Sequence, residues 1–351
     1  MKHPFVVACV MVAGIIGMLA LFSAAPAAQG SRLGAQSPKP AVRTEWTPAR
    51  TPWGDPDLNG VYSNDDETGI PFERPAEFEG RRLDDITPAE LNDINHRRNE
   101  QFTANVAGTE FAGGIRPPTH LIFDSFERKN SRAWLVVDPP DGRVPPLTPE
   151  AQQRARRPVS GVGRGLSSNF NSIGPFDSYE DLGLYDRCIT RGIPSSMMPA
   201  GYGSFYQIIQ GKDNVGIRYE MIHETRIVPL ARGPHVRDTL LLDLGDSRGW
   251  FEGQTLVVEA TNFRGRSAYR GASEYLKMTE RFTPVAPGIV EWKVTFDDPH
   301  TWTRPWSFAM RLTQKDSSQH IYEYACHEGN YGLKNILTGA RAEDEAKQKQ
   351  K

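Results

Sequence analysis

Strict two-residue alternation of apolar and polar side chains marks the second half of this chain, from Phe205 onward. Three segments, at residues 217–221, 290–296 and 306–312, place an apolar side chain at every second position. That period is typical of a β-strand with one face in a core and the other in water. Turn signals rich in Gly, Asn, Asp and Pro separate such segments, which favours antiparallel strands joined as a meander.

The number of strands limits the architectures that this segment can adopt. The alternation yields about eight to ten strands, and a sheet of that size usually curls or closes because an open edge invites aggregation. We therefore expect a mainly β fold, in which residues 205–339 form an antiparallel meander that closes into a barrel-like domain, either lipocalin-like or a sandwich. A barrel of this strand count can hold one small ligand.

The preceding residues, 51–204, are expected to form a wrapping segment with short helices. The chain has 32 Gly and 27 Pro, which predicts much irregular structure. Thr-Pro-Glu and Thr-Pro-Ala-Glu sequences at 148–150 and 87–90 each predict the start of a helix, with Thr as the cap and Pro at the first helical position. Short strands are predicted near Tyr62 and at 132–138.

The first residues of the chain indicate export. Residues 1–28 have a basic start, an apolar stretch and small residues around a cleavage point, which is the form of a secretory signal. A retained membrane anchor is the alternative, although the apolar stretch is marginal for a full span. Residues 29–50 predict a disordered tether. Residues 333–337 predict a short helix or turn that stops at Gly339, and residues 340–351 a charged, solvated tail. The protein is therefore expected to be periplasmic or secreted, with no stable membrane insertion after signal removal.

Two cysteines, Cys188 and Cys326, remain once the signal with Cys9 is removed. In an exported chain, such a pair can close a disulfide. The alternative is a catalytic thiol at Cys326 beside His327. A structural disulfide is favoured, because an oxidising compartment tends to consume paired free thiols.

Composition and motif content exclude several classes of function. The formal net charge of -2 provides no electrostatic reason to bind nucleic acid. No Gly-rich phosphate loop and no dinucleotide fingerprint is present, so no cofactor is expected. The spacing of the histidines predicts no metal site. Oligomeric state is left open.

Five motifs, at residues 56–62, 137–143, 245–253, 261–263 and 325–331, form a recognisable set. They read Pro-Asp-Leu-Asn-Gly-Val-Tyr, Val-Asp-Pro-Pro-Asp-Gly-Arg, Gly-Asp-Ser-Arg-Gly-Trp-Phe-Glu-Gly, Thr-Asn-Phe and Ala-Cys-His-Glu-Gly-Asn-Tyr. The set resembles a large family of exported bacterial proteins that are mostly labelled hypothetical. The resemblance covers nearly all of the chain after residue 50. It implies export and a shared β-rich fold, and it carries over no catalytic residue.

The run from Tyr219 to Arg226 holds the first candidate for chemistry. On a continuous strand, His223 would lie on the same face as Tyr219, toward the interior, and Arg226 on the other face. An interior imidazole beside an aromatic ring can serve as a general base. The alternative is a core histidine that is hydrogen-bonded to a neighbouring strand.

Two further candidates lie at the expected barrel ends. Arg248, in the run 246–250, could orient a carboxylate or phenolate by a bidentate contact, although a tight turn would also explain this run. His327 and Glu328 follow Cys326, so a disulfide would hold them in place, as acid–base catalysis requires. The alternative is a hydrogen-bonded loop that closes one end of the barrel.

These candidates together predict a barrel that binds a small, partly apolar organic molecule. Cofactor-independent acid–base catalysis is expected, as elimination, isomerisation or hydrolysis, with His223 as base and His327 with Glu328 as the acid or orienting pair. The residues expected to bind the substrate are Arg226, Arg248, Tyr219, Trp250 and Asn330. A non-catalytic carrier or sensor of a hydrophobic small molecule is the alternative, and a structural envelope protein is a third.

Overall fold

The computed structural model describes residues 46–107, 129–156, 176–200, 203–265, 269–316 and 320–350. These residues contain ten β-strands and three α-helices. The strands are β1 (Gly60–Ser63), β2 (Val136–Asp138), β3 (Phe205–Gln210), β4 (Asn214–Tyr219), β5 (Thr225–Pro229), β6 (Asp246–Glu252), β7 (Thr255–Thr261), β8 (Lys277–Ala286), β9 (Ile289–Asp297) and β10 (Trp306–Gln314). The helices are α1 (Pro88–Ala107), α2 (Pro149–Arg156) and α3 (Tyr331–Lys349). The expected signal and most of the expected tether lie outside the described residues.

Nine of the strands form one continuous sheet, in the order β5-β4-β3-β1-β10-β9-β8-β7-β6. The remaining strand, β2, pairs with the first residues of β10. The two ends of the sheet meet, because a Cβ placed on Gly249 of β6 would lie 2.8 Å from Val228 Cγ1 of β5. The sheet is thus nearly closed, which confirms the predicted mainly β, barrel-like fold and favours a barrel over a sandwich.

The barrel has a seam between β5 and β6. Every neighbouring pair along the sheet is antiparallel, so with nine strands the first and the last run in the same direction. No backbone ladder joins β5 to β6 in the part of the chain that the structure describes. Side chains close the seam instead, since Val228 and Leu230 both lie over Gly249.

Two strands of the barrel come from the segment that was expected to wrap it. β1 inserts between β3 and β10, with Tyr62 opposite Tyr206 on one side and Gln314 on the other. β2 lies beside β10 further along the same edge. The short strands predicted near Tyr62 and at 132–138 are confirmed. The first half of the chain therefore builds part of the barrel wall.

The helices begin where the sequence predicts. The hydroxyl of Thr87 accepts a hydrogen bond from the backbone of Glu90, and that of Thr148 accepts from the backbone of Ala151. The third helix is longer than expected, because α3 continues through Gly339 into the charged tail. Ala, Glu, Lys and Gln are good helix formers, and a single glycine costs only about 1 kcal/mol. No helix within the described ranges has the length and apolar character needed to cross a membrane.

A disulfide joins Cys188 to Cys326, with the two Cα atoms 5.8 Å apart. The predicted pairing is therefore confirmed. The bond ties the run before α3 to a turn that follows the 3₁₀ helix at Tyr179–Asp181. It links residues 138 positions apart, so the C-terminal part of the chain is held against a segment that precedes β3.

Candidate functional site

A left-handed turn between β4 and β5 changes which side chains face the barrel interior. Ile222 and His223 have φ angles of 64° and 46°, a conformation that is uncommon for residues other than glycine. Uninterrupted alternation would have placed Tyr219 and Arg226 on opposite faces. In the structure both side chains are buried, because the turn moves the inward positions from odd residues on β4 to even residues on β5.

The three residues predicted to act as acid and base lie at the surface. His223 is exposed, and its Nδ1 is 2.9 Å from the carbonyl oxygen of Tyr324. His327 and Glu328 are exposed in the turn before α3. The contact with Tyr324 does bring His223 to residues 320–330, which precede α3 and are called the C-terminal run below, close to Cys326. The prediction of an interior imidazole is nevertheless wrong, since the turn breaks the strand on which that prediction depended.

Arg248 and Trp250 lie on the outward face of β6, whose alternate residues are partly exposed. Nη1 of Arg248 donates to Oδ1 of Asp246 at 2.8 Å. Nε1 of Trp250 donates to Oε1 of Glu252 at 2.8 Å, and the guanidinium of Arg232 lies 4.9 Å from the centroid of its ring. Both residues are therefore outside the interior in which a substrate was expected.

Asp246 and Asn262 fasten the connection between β5 and β6. Oδ2 of Asp246 accepts from the backbone of Val236 at 3.1 Å and lies 2.8 Å from Nδ1 of His235. The Asn262 amide donates, at 3.1 to 3.4 Å, to the carbonyl oxygens of Val236, Arg237 and Leu240. In the described residues no group of three or more His, Cys, Asp or Glu side chains is arranged to hold a metal ion.

Asn330 caps a helix. Its Oδ1 accepts from the backbone of Leu333 at 3.2 Å at the start of α3. Its Nδ2 donates to the carbonyl oxygen of Asp186 at 2.7 Å and lies 3.4 Å from Sγ of Cys188. The residue thus reinforces the disulfide in fastening the C-terminal run, and every one of these contacts is structural.

The interior holds a buried ion pair. Arg226 is 4% exposed and Glu280 is 1% exposed, and Nη1 of Arg226 donates to Oε2 of Glu280 at 2.5 Å. Nε1 of Trp292 donates to the other carboxylate oxygen at 3.1 Å. Burial lowers the pKa of Arg226, but the Glu280 carboxylate raises it by more, so the guanidinium is charged.

Several polar atoms around this ion pair have no hydrogen-bond partner. Nε and Nη2 of Arg226 and the hydroxyl of Tyr219 are buried and unpaired among the described residues. Burial is the main cause that raises the pKa of Tyr219, and the charge of Arg226 opposes it. The phenol is therefore neutral, and it lies near the guanidinium of Arg226. Arg226, Glu280, Tyr219 and Trp292 are named the Arg226 cluster below.

The Arg226 cluster presents donors in a geometry that suits oxygen acceptors. Nε and Nη2 form one edge of the planar guanidinium, the fork that matches a carboxylate or a similar group bidentately. An unsatisfied buried donor costs about 1–3 kcal/mol, and natural interiors contain few of them. The neighbouring walls are apolar and fully buried: Ile217, Val228, Val258 and Met278. Such a combination can hold an apolar molecule that carries one oxygen-bearing group.

Sequence reasoning identified Arg226 and Tyr219 but missed Glu280. Glu280 lies on β8 between Met278 and Phe282, at the same parity as these two buried residues. The sequence could have predicted that Glu280 is buried, because it is a carboxylate at an inward position of an alternating strand. Its partner could not have been named, because β5 and β8 are far apart in the chain.

The sequence matches no family model and no curated protein. Among solved structures, the chain is similar to one described as a secretary abundant heat soluble (SAHS) protein from Ramazzottius varieornatus. The two share 11% sequence identity, and the match covers 38% of this chain and 86% of that one, with a TM-score of 0.23. A similarity at this level carries no argument about what the chain does.

Proposed function

We propose that this protein binds a small, partly apolar organic molecule inside the barrel, with an oxygen of that molecule on the open edge of Arg226. The observation that carries the proposal is the pair of unpartnered guanidinium nitrogens beside the unpartnered hydroxyl of Tyr219. All of these atoms are buried, so a bound acceptor would remove an energetic cost that the protein otherwise bears.

The charge balance of the cluster restricts the ligand. Arg226 is neutralised by Glu280, so the pair as a whole has no net charge. A carbonyl, hydroxyl or carboxyl group can accept from Nε and Nη2 without leaving a second buried charge unpaired. This chemistry fits the predicted partly apolar molecule better than it fits a multiply charged one.

The geometry favours a binding function without catalysis. His223, His327 and Glu328, the residues expected to move protons, are exposed. Within the Arg226 cluster, Glu280 is occupied by two hydrogen bonds, from Arg226 and Trp292. A carrier or sensor needs only the enclosed donors, whereas an acid–base enzyme needs a proton-transferring group beside them.

We further propose that the protein is exported. The signal-like residues 1–28 and the disulfide Cys188–Cys326 support this, because disulfides persist in oxidising compartments. The resemblance of the five motifs to a family of exported bacterial proteins supports the same proposal. A carrier or sensor of a hydrophobic compound in the periplasm or outside the cell is thus the proposed role.

The substitution Tyr219→Phe tests this proposal, because it deletes one unpartnered hydroxyl and keeps the ring. We expect an unchanged or slightly higher free energy of unfolding, together with an affinity that is lower by about five- to tenfold, the value of one hydrogen bond. Small molecules are extracted from the purified protein and identified by mass spectrometry. Their dissociation constants, and those of a panel of aromatic and terpenoid compounds, are then measured by calorimetry.

Tyr206→Phe is the matched control. The Tyr206 hydroxyl is also buried but already donates to Asn64 at 3.0 Å, so its removal should lower stability by about 1 kcal/mol and leave affinity unchanged. Equal affinity in both variants, or a parent protein that neither retains nor binds any of these compounds, would refute the proposal.

A second pair of variants decides between the carrier and the enzyme. His223→Gln and His327→Gln alter exposed side chains, so both should bind like the parent. If the parent converts a retained compound and either variant loses that conversion while binding normally, the protein is an enzyme and the carrier assignment is wrong.

A further inference from the structure

A second group of unpaired polar atoms lies at the end of the barrel where β9 ends and β10 begins. Tyr269 and Arg270 belong to a short 3₁₀ turn, Tyr269–Gly271, in which Arg270 has a φ of 55°. Tyr269 stacks on Phe296 of β9, and Phe296 stacks on Trp306 of β10, with centroids 4.9 and 4.4 Å apart. The turn is thereby packed onto the aromatic residues of the barrel.

Three atoms of this group have no hydrogen-bond partner among the described residues: Nη1 of Arg270, the hydroxyl of Tyr269 and Nε1 of Trp306. Tyr269 is 3% exposed and Trp306 is fully buried. Arg270 is partly exposed, so the group extends from the interior toward solvent. Tyr269, Arg270 and Trp306 are named the Arg270 cluster below.

The Arg270 cluster differs from the Arg226 cluster in its charge. Within the described residues, no carboxylate lies within ion-pair distance of Arg270, whereas Arg226 is paired with Glu280. The guanidinium carbon of Arg270 instead lies 4.5 Å from the ring centroid of Phe72 and 6.0 Å from that of Trp306. An aromatic face stabilises a cation only modestly, so the positive charge remains available to an anion.

Aromatic side chains also lie next to the charge. Phe72 meets Trp306 edge-on at 5.9 Å and Phe308 at 5.6 Å. Aromatic rings pack best against other rings in offset or edge-on arrangements. A ligand with an aromatic body and one anionic group would satisfy both features of this end of the barrel.

We propose that Arg270 and Tyr269, beside the buried indole of Trp306, form a second binding site, which takes an aromatic carboxylate with its anionic group on Nη1 of Arg270 and the hydroxyl of Tyr269. This site shares no residue with the Arg226 cluster and is independent of the function proposed above. Its ligand carries a full negative charge, because Arg270 has no carboxylate partner among the described residues.

The test uses 2-naphthoate as the probe and its neutral amide, 2-naphthamide, as the comparison. Affinities are measured by calorimetry and by the quenching of tryptophan fluorescence. We expect the parent to bind the carboxylate at least tenfold more tightly than the amide. Arg270→Gln should weaken carboxylate binding by tenfold or more and leave amide binding unchanged, because a charge-assisted hydrogen bond is lost.

Arg232→Gln is the matched control, since Arg232 also lies over a tryptophan ring but has a side chain that is 69% exposed. It should bind the carboxylate like the parent. If Arg270→Gln does not fold, Tyr269→Phe serves instead, and a loss of several-fold is expected. Equal binding of acid and amide by the parent, or undiminished carboxylate binding in the folded Arg270 or Tyr269 variant, would overturn the proposal.

Discussion

At the scale of single residues, burial decides the role of an acidic side chain that looks ordinary in the sequence. Glu67 ends the acidic run at 65–67, yet it is 2% exposed. Its carboxylate accepts from the backbone and the hydroxyl of Ser131 and from the backbone of Arg311. Burial is the largest influence and raises the pKa of Glu67, although these hydrogen bonds oppose the rise.

Glu67 should therefore contribute to the pH dependence of stability. Because its pKa is higher in the folded than in the unfolded protein, its contribution is fully present below about pH 4.5 and is lost as the pH rises through the folded value. Stability should fall over that window by up to about 1.4 kcal/mol per pH unit for this one proton. Glu67→Gln should remove this part of the slope, as urea unfolding at a series of pH values will measure.

The exposed Glu328 supplies the comparison for that experiment. Glu328→Gln should keep the pH dependence of stability seen in the parent, because Glu328 is exposed in the folded protein. A slope in Glu67→Gln equal to that of the parent would show that Glu67 does not titrate as described.

At the scale of elements, the seam between β5 and β6 depends on the absence of a side chain at Gly249. A Cβ there would lie 2.8 Å from Val228 and 3.1 Å from Leu230. The two strands run in the same direction and share no ladder, so side-chain packing at this position helps to close the seam. Packing density at this one position thus determines how tightly the barrel closes.

Gly249→Ala should lower the free energy of unfolding by about 1–3 kcal/mol, the usual effect of overpacking. Gly216→Ala on β4 is the matched control, because its Cβ would meet only ordinary contacts, the nearest at 3.6 Å from Ile227. That change should be neutral or stabilising by less than about 1 kcal/mol. Chemical denaturation measures both, and equal stability of the two variants would contradict the account of the seam.

At the scale of the whole molecule, the disulfide joins the two halves of the chain. It links residues 138 positions apart, a loop for which the chain-entropy model assigns about 5 kcal/mol. The contacts of Asn330 with Asp186 and of His223 with Tyr324 lie close to the bond. The disulfide therefore positions the C-terminal run, and α3 after it, against the rest of the protein.

Replacing both Cys188 and Cys326 by Ser should lower the free energy of unfolding by about 2–5 kcal/mol. Amide hydrogen exchange should become faster in residues 320–333 and change little in β8 and β9, which lie in the barrel wall. Chemical reduction of the parent is the control and should reproduce the loss. Unchanged stability in the double variant would mean that noncovalent contacts suffice to hold the C-terminal run.

Much of the architecture was predictable because it depends on local pattern. Alternation identified β9 and β10, and Thr-Pro pairs located the starts of α1 and α2. The disulfide followed from counting the cysteines that lie outside the expected signal. The end of α3 was misjudged because one glycine, Gly339, was taken as a stop, although the helix-forming residues around it outweigh that cost.

The candidate site was predictable only in part. Tyr219 and Arg226, which were predicted to bind a substrate, are both buried. His223 was placed in the interior by an alternation that does not continue through the turn at Ile222 and His223. A pattern of side chains reports strand faces only while the backbone stays extended.

The sequence by itself thus determined the strands, the helix starts and the covalent link, because each depends on residues that are neighbours in the chain or on a simple count. Only the tertiary structure decided which polar groups meet inside the barrel. Arg226 and Glu280 lie on strands that are not adjacent in the sheet, and a left-handed turn sets the direction in which Arg226 points. Closure of the sheet brings them together, since it places distant inward positions around one interior.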